Sequence, residues 1–170
     1  MDVINTSRPA SGGAVRRSLA TISTLVGSGD RIGALVLPIA AIGILLNLVE
    51  PSWFSVGGPP TWLKLASAIL LMPGILVWLW SVALILAKVP RGELITTGPF
   101  AIVAHPLYTG VALLVLPWAG FLLDSWLGAF LGIALYVAAR LFAPAEETAL
   151  ARSFGAAWDV YRARVFIPWL

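Results

Sequence analysis

One stretch of this sequence carries most of its polar chemistry. Residues 91–110, RGELITTGPFAIVAHPLYTG, form a long polar interruption in an apolar chain and contain the only histidine, His105. A carboxylate pair, Glu146 and Glu147, follows the last long apolar segment. Carboxylates suit hydroxyls such as a ribose diol, imidazole suits a carboxylate or phosphate, and aromatic rings suit a planar base or a cation. Polar groups this scarce in such a chain indicate where its function lies.

Composition defines the class of protein. Of 170 residues, 59% are hydrophobic and only 11% are charged, which is not the composition of a water-soluble domain. The chain has no cysteine and a single histidine, so we expect neither disulfides nor a metal site. The net charge of +3 is small and its basic residues lie in loops, which favours membrane topology over nucleic-acid binding.

Four apolar segments predict four transmembrane helices, at about residues 32–49, 62–87, 107–123 and 126–143. Each approaches the roughly 20 residues that cross about 30 Å of hydrocarbon. The predicted fold is all-α, a polytopic membrane protein with these four helices in a membrane-embedded domain, residues 31–170. We expect bends at Pro38, Pro73 and Pro117. Asp124 and Ser125 leave almost no loop between the last two spans, and either side chain could cap the fourth helix.

The two ends of the chain are more polar than the apolar segments between them. Residues 1–30 are predicted to be a polar N-terminal segment, with a short interfacial helix at about residues 14–26. At the other end, apolar side chains recur at steps of three and four residues and predict an amphipathic cytoplasmic helix at about residues 145–165. Its apolar positions include Leu150, Phe154, Trp158, Tyr161 and Val165.

Basic residues predict the orientation. Ten of the eleven Lys and Arg residues fall on the side that carries both termini and the 88–106 loop, and only Lys64 falls on the other. The positive-inside rule then makes the termini and that loop cytoplasmic, and we expect a multi-pass protein of the bacterial inner membrane. Four tryptophans would form an aromatic belt at the opposite interface: Trp53, Trp62, Trp118 and Trp126.

Local backbone rules bring the polar groups together. Pro106 disfavours a helical conformation at His105, so the imidazole should stand at the entrance of the third span. Pro144 is expected to end the fourth span and to place Glu146 and Glu147 in the first turn of the next helix. Both polar clusters would then meet at one membrane face, where a polar, nucleoside-containing cofactor could enter from the cytosol.

Each group also has a purely structural interpretation. A histidine before proline can serve only as a hydrogen-bonding residue at a helix entrance. Acidic residues in a first helical turn commonly do no more than complement the helix dipole. The aromatic stripe of the last helix can be simple packing. The functional interpretation therefore depends on the combination.

That combination resembles the isoprenylcysteine carboxyl methyltransferase and phospholipid methyltransferase group of integral-membrane enzymes. The resemblance covers roughly residues 60–168 and rests on ordered motifs: GELITTGPF at 92–100, HPLY at 105–108 with Gly110, the pair Glu146–Glu147, Phe154–Gly155, and Tyr161 with Val165. It implies S-adenosyl-L-methionine as the methyl donor and a cofactor site on the cytoplasmic face. The implied partner is a lipid-borne or small hydrophobic acceptor (a carboxylate, an amine or a thiol) reached from the bilayer.

The resemblance also implies which residues bind. By position it assigns nine residues to the cofactor: Leu94, Ile95, Phe100, His105, Pro106, Leu107, Tyr108, Glu146 and Glu147. Two positions depart from the family pattern. Ala104 stands where an arginine often precedes the His-Pro pair. Phe142 stands where an arginine linked to the acceptor is expected, and Arg140, half a turn earlier, is the candidate substitute for acceptor binding. No catalytic residue is assigned.

Two other functions are also compatible with the sequence. The first is an NADPH-dependent membrane reductase of the sterol-reductase type, because such enzymes resemble this chain distantly in their last helices. Its 2′-phosphate would need cations, which Arg140, Arg152 and Arg162 could supply. The second is a non-catalytic accessory module of the membrane that keeps the fold without cofactor binding.

Overall fold

The computed structural model describes the backbone of residues 11–168 and the side chains of residues 29–168. Its α-helices are α1 Ser11–Val49, α2 Thr61–Lys88, α3 Pro106–Leu122, α4 Leu127–Phe154 and α5 Ala156–Arg164. Short 3₁₀ turns lie at Pro51–Trp53, Val89–Arg91 and Gly98–Ala101. The described residues form no strand, which confirms the all-α class. Residues 1–10 of the predicted N-terminal segment lie outside the described residues, and from Ser11 onward the backbone belongs to α1.

Within the part of the chain that the structure describes, three segments are long and apolar enough to cross a membrane: Gly29–Val49, Thr61–Arg91 and Leu127–Phe154. They correspond to the first, second and fourth predicted spans, and the protein is a multi-pass integral membrane protein. The third predicted span corresponds to α3, a shorter apolar helix. Its 17 residues extend about 25 Å at 1.5 Å per residue, slightly less than the hydrocarbon core.

A π-helical turn interrupts α3 at Val111–Val115, immediately before Leu116 and Pro117. Proline has no N–H to offer the carbonyl four residues earlier, and a π turn is one way in which a helix accommodates that loss. The π turn lies directly before Pro117, the residue at which a bend of the third span was predicted. The helices α1 and α2 continue through Pro38 and Pro73.

Glycines bring α3 and α4 into backbone contact. A Cβ placed on Gly128 would lie 2.1 Å from the carbonyl oxygen of Leu116, and one on Gly132 would lie 2.3 Å from that of Ala112. Small residues allow this approach, which is how helices associate in lipid, where the hydrophobic effect gives little help. The contact fixes the relative position of the two helices that carry the polar site residues.

The hairpin between α3 and α4 is held by Asp124 and Ser125, at the opposite end of the bundle from His105. The Asp124 carboxylate accepts hydrogen bonds from Ser55 Oγ at 2.8 Å and from the Gly58 N–H at 3.0 Å. These donors, the Ser55 hydroxyl first, hold the pKa of Asp124 below its usual range. The Ser125 hydroxyl accepts from the Leu127 N–H at 3.2 Å, but the N-cap residue of α4 is Trp126, so the cap predicted at Asp124 or Ser125 lies one residue too early.

The expectation that Pro144 ends the fourth helix is wrong. The helix α4 continues through Pro144 to Phe154 and ends at Gly155, which adopts φ 53° and ψ −129°, far from helical values. Proline removes one backbone hydrogen bond, and α4 is packed along α1 and α3, so the remaining contacts keep the helix intact. A glycine with positive φ ends it instead.

This continuity changes the interpretation of the acidic pair. Glu146 and Glu147 lie in the interior of α4, and no helix N-terminus is near them in the chain. The explanation of both residues as partners of a helix dipole is therefore wrong. The predicted amphipathic helix at 145–165 is also divided, because its first residues belong to α4 and a separate helix begins only at Ala156.

Candidate functional site

A cavity of about 320 Å³ lies at the end of the bundle that contains His105. Its wall is formed by Gly29 and Asp30 of α1, the end of α2, the loop before α3, the start of α3, the end of α4, and α5. The volume is in the range of small-molecule sites. The cavity is therefore large enough for a ligand, and it is built from segments far apart in the sequence.

The loop between α2 and α3 is folded around Gly98. Its φ of 64° is left-handed, and a Cβ there would lie 3.0 Å from the Trp80 ring, so this turn favours glycine. Pro99 is buried in the 3₁₀ turn Gly98–Ala101. The turn sets Phe100 against the cavity while Ile95 is buried in its wall.

The start of α3 places the HPLY motif. His105 has φ −125° and ψ 61°, outside the helical region, as predicted from the proline that follows it. Pro106 is fully buried at the first turn of the helix, where its missing N–H is not needed. Tyr108 directs its hydroxyl toward α1, where a Cβ on Gly29 would lie 3.3 Å from that oxygen.

The Glu147 carboxylate contacts two side chains, the His105 imidazole and the Arg162 guanidinium. One of its carboxylate oxygens lies 3.3 Å from His105 Nε2, and the other lies 3.2 Å from Arg162 Nη2 of α5. All three side chains are less than one-third exposed, His105 the least at 12%. The two predicted polar clusters therefore come together at one end of the bundle, as expected.

The C-terminal segment is fixed to the loop. Tyr161 donates its hydroxyl proton to the Phe100 carbonyl at 2.9 Å, and burial raises the pKa of Tyr161 to about 12. Beyond α5, the Ile167 N–H donates to the Ile102 carbonyl at 2.8 Å. Trp158 and Tyr161 are buried, and both line the cavity. These bonds make α5 one wall of the cavity.

Eight of the nine residues assigned to the cofactor line this cavity: Leu94, Ile95, Phe100, His105, Pro106, Leu107, Tyr108 and Glu146. The ninth, Glu147, is not among the lining residues and contacts His105 and Arg162 instead. Arg140 is not among them either. It is exposed on α4, two helical turns before Glu147, near enough to act electrostatically on that carboxylate.

The sequence interpretation missed several residues of the wall. Gly29 and Asp30 line the cavity although they lie at the boundary that was assigned to the N-terminal segment. Glu93 also lines it, and its place inside the GELITTGPF motif was the available signal. No sequence signal pointed to Asp30, because only the packing of α1 brings it here.

The two departures from the family pattern have different surroundings. Ala104 is buried in the cavity wall, so this position presents a methyl group where an arginine would present a cation. Phe142 packs against the buried cluster formed by Ile32, Ala138 and Ala139. Neither position gives a positive charge to the cavity.

Acidic groups dominate the polar part of the wall. Among the residues with described side chains, the lining includes Asp30, Glu93 and Glu146 but no lysine or arginine. Lys88 Nζ lies 3.8 Å from Glu93, and Arg162 pairs with Glu147. Carboxylates beside aromatic rings suit hydroxyls, ammonium groups and a planar base.

The fold and the cavity define a class: an all-helical, multi-pass membrane protein with a small-molecule cavity at one end of its bundle. The model of the isoprenylcysteine carboxyl methyltransferase family matches residues 65–152, which include the loop, the HPLY motif and both glutamates. The match covers more than half of the chain, and the chain belongs to this family of membrane methyltransferases. No curated protein and no solved structure matches it.

Proposed function

We propose that this protein is an S-adenosyl-L-methionine-dependent methyltransferase that acts on a lipid-borne or small hydrophobic acceptor. The observation that carries the proposal is the meeting of the HPLY motif and Glu146 in one cavity, in a chain of a methyltransferase family. The acceptor group is a carboxylate, an amine or a thiol. We further propose that the cavity end faces the cytoplasm, because ten of eleven basic residues fall on that side of the predicted topology.

The cavity chemistry fits the proposed methyl donor. S-adenosyl-L-methionine carries a ribose diol, an ammonium group, a sulfonium centre and an adenine ring. Glu146 and Asp30 offer acceptors for the hydroxyl and ammonium hydrogens, and carboxylates also stabilise a nearby positive centre. Phe100, Tyr108 and Trp158 offer ring surfaces for the adenine. Every one of these groups lies in the same cavity.

The residues of the chain would act mainly by alignment. When bound, S-adenosyl-L-methionine supplies an electrophilic methyl group in line with the acceptor. The apolar wall from Ile95, Leu150 and Phe154 would exclude water, and the glycine-packed helices would keep the site in one geometry. A carboxylate or thiolate acceptor needs no base. For an amine acceptor, His105 or Glu146 would take the proton.

Titration calorimetry of the purified protein tests the cofactor. We expect S-adenosyl-L-methionine to bind, and Glu146→Ala to weaken binding by about 1–3 kcal/mol, the loss expected for one hydrogen bond to a charged group. The control is Asp159→Ala, which removes an exposed carboxylate of α5 outside the cavity. If Glu146→Ala binds as tightly as the control while folded, Glu146 does not hold the cofactor.

The same titration distinguishes the two other functions. A reductase would bind NADPH, whose 2′-phosphate requires a cation. Arg140, Arg152 and Arg162 are absent from the lining that the described side chains form, so this alternative is not favoured. An accessory module would bind neither compound. Incubation of membranes with a labelled methyl donor, followed by mass spectrometry of the labelled lipid, would then identify the acceptor.

A further inference from the structure

Glu147 occupies a position that cofactor binding alone does not explain. It stands next to Glu146 in the chain, but only Glu146 lines the cavity. The Glu147 carboxylate lies between His105, which does line the cavity, and Arg162 of α5, at 3.3 and 3.2 Å. Glu147 therefore joins a residue of the cavity to a helix that closes one side of it.

This arrangement determines which nitrogen of His105 carries the proton. An ionised carboxylate can only accept hydrogen bonds, so the contact with Glu147 requires a hydrogen on Nε2. In a neutral imidazole the proton is then on Nε2, and Nδ1 keeps its lone pair. A carboxylate behind a functional histidine selects the tautomer in this way in many sites.

Arg162 fixes the orientation of the carboxylate. It bonds the second oxygen of Glu147, so rotation of the carboxylate would break one contact or the other. Arg162 is itself held, because its Nη1 donates to the Pro168 carbonyl in the segment that is tied to the loop before α3. Arg162 thus has its own anchor, and both partners of Glu147 are largely buried, which distinguishes this network from an isolated ion pair on a surface.

We propose that Glu147 and Arg162 are positioning residues for His105. They hold the imidazole as the Nε2–H tautomer, so that Nδ1 serves the cavity as a hydrogen-bond acceptor for an N–H or O–H group. What His105 binds rests on the proposed function: a hydroxyl or ammonium group of the methyl donor, or the proton of an amine acceptor. The tautomer itself does not depend on that function.

The single histidine of the chain allows a direct test. Protein labelled with ¹⁵N-histidine, purified without a polyhistidine tag and placed in lipid nanodiscs, gives the nitrogen signals of His105 alone. At about pH 8.5, where an ordinary imidazole is neutral, we expect one protonated nitrogen, Nε2, and an unprotonated Nδ1. A proton on Nδ1, in the other tautomer or in an imidazolium, would overturn the proposal.

Variants test each positioning residue. In Glu147→Gln the amide can donate as well as accept, so we expect a mixture of tautomers in place of one, and Glu147→Ala should remove the preference altogether. Arg162→Gln should give a partial mixture, which Arg162→Lys should reverse in part because it restores the charge. The matched control is Arg164→Gln, an exposed arginine of the same helix, which should keep the wild-type spectrum. Unchanged spectra in both Glu147 variants, or in Arg162→Gln, would exclude the positioning role of that residue.

Binding of S-adenosyl-L-methionine separates this proposal from the proposed function. We expect Glu147→Gln and Arg162→Gln to weaken binding by about tenfold, and Arg164→Gln to have no effect. If wild-type protein shows the Nε2–H tautomer but binds no S-adenosyl-L-methionine, the proposed function fails and the positioning of His105 stands. If wild-type protein binds S-adenosyl-L-methionine but shows a protonated Nδ1, the positioning of His105 fails and the proposed function stands.

Discussion

The glycine contact between α3 and α4 gives the sharpest prediction for stability. In Gly128→Ala the new methyl group would lie 2.1 Å from the carbonyl oxygen of Leu116, about 1.3 Å inside an ordinary contact. It would also meet the backbone of Gly120 at 2.8 Å. Both neighbours are backbone atoms of a helix, which cannot rotate away, so α3 and α4 must separate.

We expect Gly128→Ala to lower the free energy of unfolding by about 1–3 kcal/mol, the cost of overpacking, with the value near the upper limit because the obstruction is backbone. The greater helix propensity of alanine offsets at most about 1 kcal/mol of this loss. The matched control is Gly33→Ala in α1. A Cβ there meets its nearest neighbour, Leu37 Cδ1, at 3.8 Å, an ordinary contact. This variant should be neutral or slightly more stable.

Unfolding by sodium dodecyl sulfate in mixed micelles, followed by the fluorescence of the eight tryptophans, measures the difference. Both variants make the same chemical change in an apolar helix, so their difference reports the contact with α3. Equal stability of Gly128→Ala and Gly33→Ala would refute the packing argument, because the close approach of the two helices would then contribute nothing measurable.

Two pH-dependent effects follow from the described pKa shifts. The pKa of Asp124 is lowered, so its contribution to stability is present above about pH 3.8 and is lost as the pH falls through the lower folded-state value. Acid unfolding of Asp124→Asn should lack this component, and an identical acid profile would contradict it. The pKa of Tyr161 is raised to about 12 from 10.0, so the neutral phenol is favoured by folding, and this stabilisation is lost between those two pH values. The free energy of unfolding of Tyr161→Phe should be about 1 kcal/mol lower at neutral pH, because the hydrogen bond to the Phe100 carbonyl is lost. It should also fall less than that of the wild type as the pH rises into the alkaline range. A variant as stable as wild type at neutral pH, with the same alkaline profile, would show that the phenol hydrogen bond has no such role.

Much of the site could be predicted from the sequence because its local signals are strong. The proline after His105 constrains the backbone of that residue, and Gly98-Pro99 constrains the turn before it, whatever the rest of the chain does. Glu146 could be placed at the same end as His105 because two predicted spans, each long enough to cross a membrane, separate the two residues in the sequence. The chain therefore crosses and returns between them. These inferences use only neighbouring residues and segment lengths, and the structure agrees with them.

Other features depend on competition between distant contacts. Pro144 looks like a helix end by its own propensity, but α4 continues through it because packing against α1 and α3 outweighs one lost hydrogen bond. Asp30 carries no motif and enters the cavity only through the packing of α1.

The sequence by itself determined that this is an all-helical membrane protein, which residues turn the chain before α3, and which motifs resemble those of a methyltransferase family. Hydropathy and the rules for proline and glycine act within a few residues, so they can be read without coordinates. Only the tertiary structure decided that Glu146 faces the cavity while its neighbour Glu147 joins His105 to Arg162. Adjacent residues of a helix point about 100° apart, and the direction that meets a partner is decided by the helices packed around them.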